Sequence, residues 1–290
     1  MKAKANTDYL LERSKAQAMS LEETKQLLRT YRISPNKLLG QNFMVEKSLY
    51  EKLCCYAALE SSDVVLDVGA GFGFLARFLA KRCRSVIAVE KDKQVAEVLR
   101  EQNKEISNVT IVEGDVLKTL LPIFNKVIAV PPYNLSSHLT IWLLEHKIDC
   151  AVLILQKEFA VRLVAEVGSE DYGWLTVMTS QQAEVQLLDP VPKEMFYPQP
   201  EVDSIILSLR PWTKKPFETK DAIFFKQMVK WLFTQRNKKL GKALAPFLKT
   251  TLKLSKEKAE KLVFTLPFHD RRVRELSPKN FGELANAILS

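Results

Sequence analysis

Val64-Val65-Leu66-Asp67-Val68-Gly69-Ala70-Gly71-Phe72-Gly73 and Ser85-Val86-Ile87-Ala88-Val89-Glu90-Lys91-Asp92 are the two segments that decide the fold of this chain. The first is an apolar, β-branched run that breaks into glycines, as a buried parallel strand does where it turns into a ligand-facing loop. Gly69 and Gly71 allow the backbone to approach a ligand closely, because neither carries a Cβ. The second is an apolar run that ends in Glu90, about twenty residues further on, where an acid can accept the hydroxyls of a ribose.

The glycine spacing separates two classes of cofactor. A dinucleotide-binding loop has the pattern G-x-G-x-x-G, and its third glycine would fall at position 74, which is Phe74. Here the pattern is G-x-G-x-G, with Gly73 in third place and Asp67 ahead of the loop. It is similar to the loop of S-adenosylmethionine-dependent methyltransferases, in which no pyrophosphate rests on the helix N-terminus. A glycine-rich turn without a ligand is the alternative, and the acid on the next strand disfavours it.

The composition is that of a globular protein without a membrane span. The 290 residues are 47% hydrophobic, and no apolar run approaches the roughly 18 residues that cross a bilayer. The N-terminus has no apolar signal-peptide core, so we expect a cytoplasmic protein. The four cysteines show no C-x-x-C spacing and lie in apolar surroundings, at positions Cys54, Cys55, Cys83 and Cys150. We therefore expect buried, reduced thiols and no metal site.

The positive charge is concentrated in the C-terminal third. The chain has a net charge of +9, and residues 210–274 contain 18 lysines and arginines against 5 aspartates and glutamates. A solvated charged surface is the ordinary explanation, but this concentration favours a polyanionic partner, most simply nucleic acid. The candidate phosphate-binding residues form two clusters, one with Arg236, Lys238, Lys239 and Lys242 and the other with Arg271 and Arg272. Arg236 could also have a structural role.

Strand-like and helical segments alternate along much of the chain. Strands are predicted at 64–68, 86–90, 109–112, 126–130 and 151–156, and helices at 46–59, 73–82, 92–102, 137–147 and 157–167. Runs at 184–188 and 203–209 could close the sheet as an antiparallel pair, and helices are predicted at 222–234, 236–248, 255–262 and 278–289. The economical fold is α/β, a Rossmann-like doubly wound sheet followed by a smaller helical domain. We predict a helical extension over residues 1–33, a cofactor domain over 34–210 and a basic helical domain over 211–290.

Two further strand ends carry residues suited to chemistry. Asp115 follows the third predicted strand, at the sheet edge where ligands bind, and could accept a hydrogen bond from the amine of an adenine. It could equally be an ordinary helix N-cap. The fourth strand runs into Val130-Pro131-Pro132-Tyr133-Asn134, a rigid loop with an aromatic stacking face. Methyltransferases that act on exocyclic nucleobase nitrogens share a loop of the form Asn or Asp, any residue, Pro, Tyr.

In this order the motifs resemble one family, the small-subunit ribosomal RNA adenine dimethyltransferases. The resemblance rests on the segments Leu39–Phe43, Asp67–Gly73, Val89–Asp92, Gly114–Asp115, Pro132–Ser137, Leu155–Arg162, Asp171–Gly173, Phe196–Ser204 and Leu232–Arg236. The long N-terminal segment is more similar to archaeal than to bacterial members. The resemblance implies transfer of two methyl groups from S-adenosylmethionine to N6 of each of two adjacent adenosines in the hairpin loop near the 3′ end of the small-subunit rRNA. It also implies a monomer that acts on a pre-ribosomal small subunit.

The resemblance assigns roles to individual residues. The cofactor-binding residues would be Asn42, Met44, Gly69, Gly71, Glu90, Asp115 and Val130. Glu90 would bind the ribose, and Asp115 the adenine amine. The catalytic residues would be Val130, Pro131, Pro132, Tyr133 and Phe196. Tyr133 would stack on the target adenine, with Phe196 on the other face of the base.

Val130 departs from the family pattern, in which this loop begins with Asn. The exocyclic nitrogen of adenine is a poor nucleophile because its lone pair is delocalised into the ring. An Asn oxygen and a neighbouring backbone carbonyl can hold its two hydrogens and stabilise the charge that develops on it. Val130 has no side-chain oxygen, whereas the Pro131 carbonyl is retained and Asn134 already has its own place in the pattern.

Three functions remain open on the sequence alone. The first is a slow methyltransferase, or one whose rRNA orients the target amine. The second is a cofactor-binding ribosome assembly factor that methylates weakly or not at all because of Val130. Methylation of DNA or of another RNA would use the same chemistry, and the match through the C-terminal third disfavours it.

Overall fold

The computed structural model describes residues 21–290, and the chain forms two compact units. Of these residues, one unit contains those up to Ala160 together with Gln186–Arg210, and the other contains Val161–Val185 together with Pro211–Ser290. The sequence analysis assigns residues 161–185 to the cofactor domain, whereas their packing is with the C-terminal segment. Tyr172 explains this difference, because its ring is fully buried and its hydroxyl donates to the carbonyl of Leu276 over 2.7 Å.

The helices and strands alternate through the first unit and give way to helices in the second. The strands are β1 Phe43–Met44, β2 Val64–Val68, β3 Ser85–Glu90, β4 Val109–Glu113, β5 Lys126–Ala129, β6 Cys150–Gln156, β7 Ala183–Val191, β8 Phe196–Tyr197 and β9 Ser204–Pro211. The helices are α1 (21–30), α2 Ser48–Tyr56, α3 Phe74–Ala80, α4 Lys93–Asn103, α5 Ser136–Leu144, α6 Lys157–Leu163, α7 Trp174–Gln182, α8 Ala222–Phe233, α9 Leu240–Thr251, α10 Lys256–Thr265 and α11 Pro278–Ile288.

The predicted elements are present, but several of their ends differ and the structure has further elements. Helix α6 ends at Leu163 instead of continuing to 167, and α9 begins at Leu240 instead of at 236. Helix α7 and the short strands β1 and β8 were not predicted. The part of the predicted extension that precedes residue 21 lies outside the described residues. None of the helices in residues 21–290 is long and apolar enough to cross a membrane.

Seven strands form one sheet in the order β4-β3-β2-β5-β6-β9-β7. Strands β2 to β6 pair in parallel, β9 pairs antiparallel with β6, and β7, the predicted partner of β9, lies beside it at the edge of the sheet. From β2 the chain first builds outward through β3 and β4, and then returns to place β5 on the other side of β2. This reversal is a topological switch point, and ligands bind outside the carboxyl ends of the two strands that flank it.

The amino ends of β2 and β5 are joined by a buried polar cluster. The carboxylate of Asp63, just before β2, lies 2.8 Å from the ammonium of Lys126, the first residue of β5. Asn125 donates to the same carboxylate over 2.7 Å, and Lys126 also donates to the carbonyl of Ala58. Burial favours the neutral acid, but the hydrogen bonds from Lys126 and Asn125 outweigh it and lower the pKa of Asp63. The edge of the sheet opposite the switch-point crevice is thus closed by satisfied charges.

One of the four cysteines contradicts the prediction that all are buried. All four are free thiols, and Cys54, Cys83 and Cys150 are buried as expected, whereas Cys55 is exposed. Cys54 and Cys55 are consecutive residues of α2 and therefore point in different directions from the helix axis. Cys54 faces the core, and Cys55 faces solvent.

Candidate active site and RNA-binding surface

A cavity of about 260 Å³ lies at the switch point, outside the carboxyl ends of β2 and β5. Its lining comes mainly from three segments, which are residues 38–44, 67–75 and 130–135. Residues 89–91 and 114–116, at the ends of β3 and β4, complete it. The predicted residues Asn42, Met44, Gly69, Gly71, Glu90, Asp115, Val130, Pro131, Pro132 and Tyr133 all line this one cavity.

The glycine loop has the backbone conformation that its sequence requires. Gly69 has φ +71°, and a Cβ there would lie 2.7 Å from Cδ of Pro132. Gly71 has φ +56°, and its amide donates to a carboxylate oxygen of Glu90 over 3.0 Å. A side chain at position 69 would therefore push apart the two loops that face each other across the switch point. The glycines bring the backbone of the first loop against the Pro-Pro-Tyr loop.

The acid that ends β3 is buried and oriented by backbone amides. The two oxygens of Glu90 accept separately from the amides of Gly71 and Asp92, at 3.0 and 2.9 Å. Burial raises the pKa of Glu90, and these backbone hydrogen bonds oppose the rise. Each carboxylate oxygen has a second lone pair, so Glu90 can still accept hydrogen bonds from a ligand.

Asp67, which precedes the glycine loop, has a buried oxygen without a partner. The residue is 1% exposed, and its Oδ2 makes no hydrogen bond within residues 21–290. Burial raises the pKa of Asp67 to about 8, and the charge of Glu90 adds to the rise. A buried carboxylate of this kind is satisfied by a cationic hydrogen-bond donor. The sequence analysis noted Asp67 only by its position, although its place at a buried strand end was the available signal.

The charges around the cavity suit a cation better than a pyrophosphate. The acidic and basic residues of the described lining are Asp67, Glu90, Asp115 and Lys91. Lys91 lies 3.1 Å from Asp115, and this hydrogen bond and that from the Leu117 amide lower the pKa of Asp115 against the opposing effect of burial. S-adenosylmethionine carries a sulfonium and an ammonium, so the acid-lined cavity and the unpaired oxygen of Asp67 fit it. A dinucleotide would bring its phosphates against the same acids.

The segment before β1 forms one wall of the cavity through polar contacts. Gln41 donates to Asp92, the N-cap of α4, over 2.8 Å and accepts from the amide of Asn36, also over 2.8 Å. The Asn134 side chain donates to the carbonyl of Leu38 over 2.9 Å. Asn42 turns its amide onto the carbonyl of Gly40, at 3.2 Å. These contacts attach the segment to the N-terminus of α4 and to the Pro-Pro-Tyr loop.

The aromatic residues of the site are fixed by two strands that the sequence did not reveal. Strands β1 and β8 pair antiparallel, which sets Met44 opposite Phe196. The Tyr133 hydroxyl lies 2.6 Å from the hydroxyl of buried Ser204, and burial raises the pKa of Tyr133 to about 12 although the Ser204 hydrogen bond opposes it. Phe196 is buried and meets Tyr133 edge to face, with ring centroids 6.3 Å apart and an interplanar angle of 71°. The two rings are therefore not arranged as a parallel clamp.

Val130 has the surroundings of an apolar residue. Its side chain is half-buried and packs against the core of the first unit while it lines the cavity. Pro131 follows it and is buried. Asn134 is exposed and its amide is engaged with Leu38. The side chain at position 130 thus adds no hydrogen-bond acceptor to the cavity.

In the second unit the two basic clusters lie side by side. Lys239 and Arg272 form an antiparallel bridge, and the amide of Leu240 donates to the Arg271 carbonyl over 2.7 Å. The amide of Val273 donates to the Lys238 carbonyl over 3.1 Å. This pairing explains why α9 begins at Leu240, since Lys239 is extended and bridged to Arg272. Residues that are far apart in the chain therefore form one surface, which we call the basic ladder, with the exposed side chains of Lys238, Lys239, Lys242, Arg271 and Arg272.

Arg236 differs from the exposed members of the basic ladder. Its guanidinium donates to the carbonyls of Ser169 and Glu170, each over 2.6 Å. Two charge-assisted hydrogen bonds to main-chain oxygens hold the loop before α7 against the end of α8. The structural role considered for Arg236 is thus the one its contacts support, while the Lys238 ammonium donates to the side chain of Gln235 over 2.8 Å.

Comparison with known proteins gives consistent results. A family model described as ribosomal RNA adenine dimethylase matches residues 32–273. A probable ribosomal RNA small subunit methyltransferase A of Methanosarcina mazei is 38% identical over 91% of this chain and 96% of its own length. A protein of the same description from Thermococcus kodakarensis is 39% identical over 88% of this chain and 90% of its own. Both relatives are archaeal, as the N-terminal segment predicts.

Solved structures with similar folds have related descriptions. A dimethyladenosine transferase from Plasmodium falciparum matches with a TM-score of 0.71 and 26% identity, over 83% of this chain and 95% of that one. The 23S rRNA methyltransferase ErmE matches with a TM-score of 0.62 and 27% identity, over 86% of this chain and 100% of that one. The Rossmann-like methyltransferase fold is therefore confirmed.

Proposed function

The chain belongs to the ribosomal RNA adenine dimethylase family, and from this we propose that it methylates small-subunit rRNA. The methyl groups come from S-adenosylmethionine and go to N6 of two adjacent adenosines in the 3′-terminal hairpin loop, on a pre-ribosomal small subunit. The observation that carries the proposal is that one cavity joins the acid-lined glycine loop to the Pro-Pro-Tyr loop. A cofactor site and a nucleobase-stacking site then share a wall.

The acids and glycines of the cavity would hold the cofactor. Glu90 would accept hydrogen bonds from the ribose hydroxyls and Asp115 one from the adenine amine. Asp67 would accept from the ammonium of the methionine end, which Asn42 and Met44 border. When bound, S-adenosylmethionine supplies a methyl group that its sulfonium charge activates.

The Pro-Pro-Tyr loop would position the target base. Tyr133 offers a ring that Ser204 fixes at its hydroxyl, so a base that stacks on it is held in one plane. The main-chain carbonyl of Pro131 would hold one hydrogen of the N6 amine and turn its lone pair toward the methyl group. A hairpin loop suits this site because its adenines are extruded at a smaller energetic cost than paired bases. Phe196 meets Tyr133 edge to face, and it would need to rotate to cover the second face of the base.

Val130 sets the expected rate. With no side-chain oxygen at this position, the second hydrogen of the amine and the charge that develops on N6 lack a protein partner. Loss of one positioned polar group of this kind lowers the rate by about 10²–10³, or about tenfold where only a neutral hydrogen bond is lost. We therefore infer a slow enzyme, in which the rRNA itself supplies part of the orientation.

The second candidate function is a ribosome assembly factor that binds the cofactor and methylates weakly or not at all. The same residue favours it, because Val130 removes an acceptor and leaves every other cavity feature in place. Val130→Asn tests the premise that both candidates share, since it restores the acceptor without enlarging the loop. We expect this variant to be at least tenfold faster than the wild type on its own substrate. A variant no faster than the wild type would show that the side chain at 130 does not limit the reaction.

The basic ladder would bind rRNA phosphates. Its lysines and arginines extend from a hydrogen-bonded backbone, so they present positive charge at fixed spacing. Contacts of this kind provide affinity and orientation and little sequence selectivity. Selection of the adenosines would then depend on the cavity and on the shape of the small subunit.

Methyl transfer from labelled S-adenosylmethionine to unmethylated small subunits, followed by nucleoside analysis of the rRNA, tests the proposal. Dimethyladenosine at adjacent positions of the 3′ hairpin is the expected product. Monomethyladenosine alone would mean that Val130 limits the second transfer. If no methylated product forms although the protein still binds the cofactor, the methyltransferase proposal is overturned in favour of the assembly factor.

A further inference from the structure

A large apolar side chain protrudes from the rim of the cavity. Leu38 is 87% exposed although it belongs to the cavity lining. Single exposed apolar residues are ordinary on protein surfaces, so exposure alone carries no conclusion. Leu38 differs from an ordinary surface leucine in the rigidity of its backbone and in its position.

The turn that carries Leu38 is fixed by side-chain hydrogen bonds and by close packing against Pro132. Residues 37–39 form a 3₁₀ turn, capped by the Asn36 side chain, which accepts from the Leu38 amide over 2.9 Å. The Gln41 side chain closes the turn by accepting from the Asn36 amide. Gly40 ends it with φ +67°, where a Cβ would lie 3.3 Å from Cβ of Pro132. The backbone therefore cannot fold the leucine inward without the loss of several hydrogen bonds.

The same turn is bonded directly to the loop that would stack the target base. Asn134 donates to the carbonyl of Leu38 and directly follows Tyr133. Leu38 and Tyr133 are therefore held at a fixed separation on one rim. An RNA that places an adenine on Tyr133 brings the nucleotides beside that adenine to this rim.

We propose that Leu38 is a wedge that enters the RNA beside the target adenosine and fills the space that the extruded base leaves in the stack. This inference rests on the proposed function. Apolar side chains inserted between base steps hold nucleic acids in unstacked conformations, and an extruded base leaves such a step open. The ligand of this site is the exposed face of an unpaired or end-stacked nucleobase. Leu38 would be a positioning residue, because it would act on the RNA beside the target base and not on the reacting nitrogen.

The chain provides a matched control at Leu120. It is 97% exposed and lies in the same unit, on the loop between β4 and β5, outside the cavity lining. Removal of either leucine side chain should leave folding unchanged, since both side chains are exposed. Only removal of Leu38 should affect the RNA, by the apolar burial that the wedge would gain.

Two measurements on unmethylated small subunits test the wedge. For methyl transfer, Leu38→Ala should lower kcat/KM for the subunit by about 10- to 100-fold, whereas Leu38→Met and Leu120→Ala should stay within about threefold of the wild type. For RNA structure, 2′-hydroxyl acylation should report increased flexibility of the nucleotides that flank the target adenosines when the wild type, Leu38→Met or Leu120→Ala binds. Leu38→Ala should not produce this increase.

The two measurements separate this inference from the proposed function. If the wild type transfers no methyl group but the flanking nucleotides still respond to Leu38, the wedge stands and the methylation proposal fails. If the wild type methylates and Leu38→Ala matches Leu120→Ala in both measurements, the wedge is overturned and the methylation proposal stands. A response of both leucine variants alike would also overturn it.

Discussion

Two buried aspartates at opposite ends of β2 differ in their hydrogen-bond partners and in the direction of their pKa shifts. Asp63, before the strand, is surrounded by the Lys126 ammonium and the Asn125 amide, and its pKa is lowered. Asp67, near the end of the strand, has one oxygen without a hydrogen-bond partner among residues 21–290, and burial raises its pKa to about 8. Both are aspartates, and one precedes the strand while the other belongs to it. Their difference shows which edge of the sheet serves stability and which is left to be completed by a ligand.

The contrast has a simple physical basis. A buried acid whose partners are all part of the protein contributes to folding once the chain has closed around it. A buried acid without a partner destabilises the fold, and it is retained where a bound cation can remove that penalty. We therefore expect Asp67 to destabilise the fold at the switch-point crevice and Asp63 to stabilise it at the other edge of the sheet.

The largest effect is expected for Asp63→Asn. This change leaves the Lys126 ammonium buried beside a neutral amide, and breaking a buried ion pair in this way costs about 3–5 kcal/mol. Urea denaturation of the apo protein measures the loss. Asp189→Asn is the control, because Asp189 pairs with Lys52 at the surface and exposed pairs contribute about 0–1 kcal/mol. Equal losses in the two variants would remove the stabilising role of the Asp63 edge.

The second effect concerns Asp67 and depends on pH. Its folded pKa, about 8, is raised above the ordinary value of 3.8, so its contribution to stability is fully present below about pH 4 and is lost as pH rises through about 8. Asp67→Asn removes this titration. We expect the apo variant to gain about 2–3 kcal/mol relative to the wild type between pH 5 and pH 7. Urea denaturation at pH 5 and pH 7 measures this change. A difference in free energy of unfolding between the two proteins that is the same at both pH values would contradict a neutral Asp67.

The third effect concerns the second unit, where a cation with hydrogen-bond partners in the protein can be compared with exposed cations. Arg236 is satisfied by two main-chain carbonyls, whereas Lys238 and Lys239 are exposed. Arg236→Ala should lower the free energy of unfolding by about 1–2 kcal/mol because it removes charge-assisted hydrogen bonds. The double variant Lys238→Glu, Lys239→Glu should stay within about 0.5 kcal/mol of the wild type. Thermal unfolding of the three proteins tests this ranking, and a larger loss in the lysine variant would reverse it.

The smallest effect on folding should accompany the clearest effect on RNA. Filter binding of rRNA to the double lysine variant should show weaker affinity, and the slope of log affinity against log salt should fall by about 2. Cofactor affinity should not change, since these side chains lie in the other unit from the cavity. Unchanged RNA affinity would remove the basic ladder from the interface.

The sequence predicted the sheet because its buried parallel strands are continuous apolar runs with turns between them. It did not predict β1 and β8, since two-residue strands have no periodicity and Met44 meets Phe196 only through long-range pairing. Helix α7 was missed because its buried residues, among them Thr176, Thr179 and Gln181, are polar as well as apolar. The apolar stripe that marks an amphipathic helix is therefore absent there.

The site was predictable where a residue type alone carries the information. The glycine loop, Glu90, Asp115 and the Pro-Pro-Tyr loop line one cavity as their motifs indicate. The charge state of Asp67 could not be predicted, because it depends on burial and on the neighbouring Glu90 carboxylate. The basic ladder was visible only as two separate clusters, since its backbone pairing joins residues 238–240 to residues 271–273.

The measurement that tests this account most directly is the equilibrium binding of labelled S-adenosylmethionine to the wild type, Asp67→Asn and folded Asp63→Asn at pH 6, 7 and 8. The account predicts that wild-type affinity rises by up to about tenfold per pH unit toward pH 8, as the Asp67 carboxyl loses its proton. Asp63→Asn should follow the wild type. Asp67→Asn should bind about 10- to 100-fold more weakly at pH 8, with little dependence on pH. If Asp67→Asn binds the cofactor with the affinity and the pH dependence of the wild type, the claim that Asp67 pairs with the cofactor is contradicted.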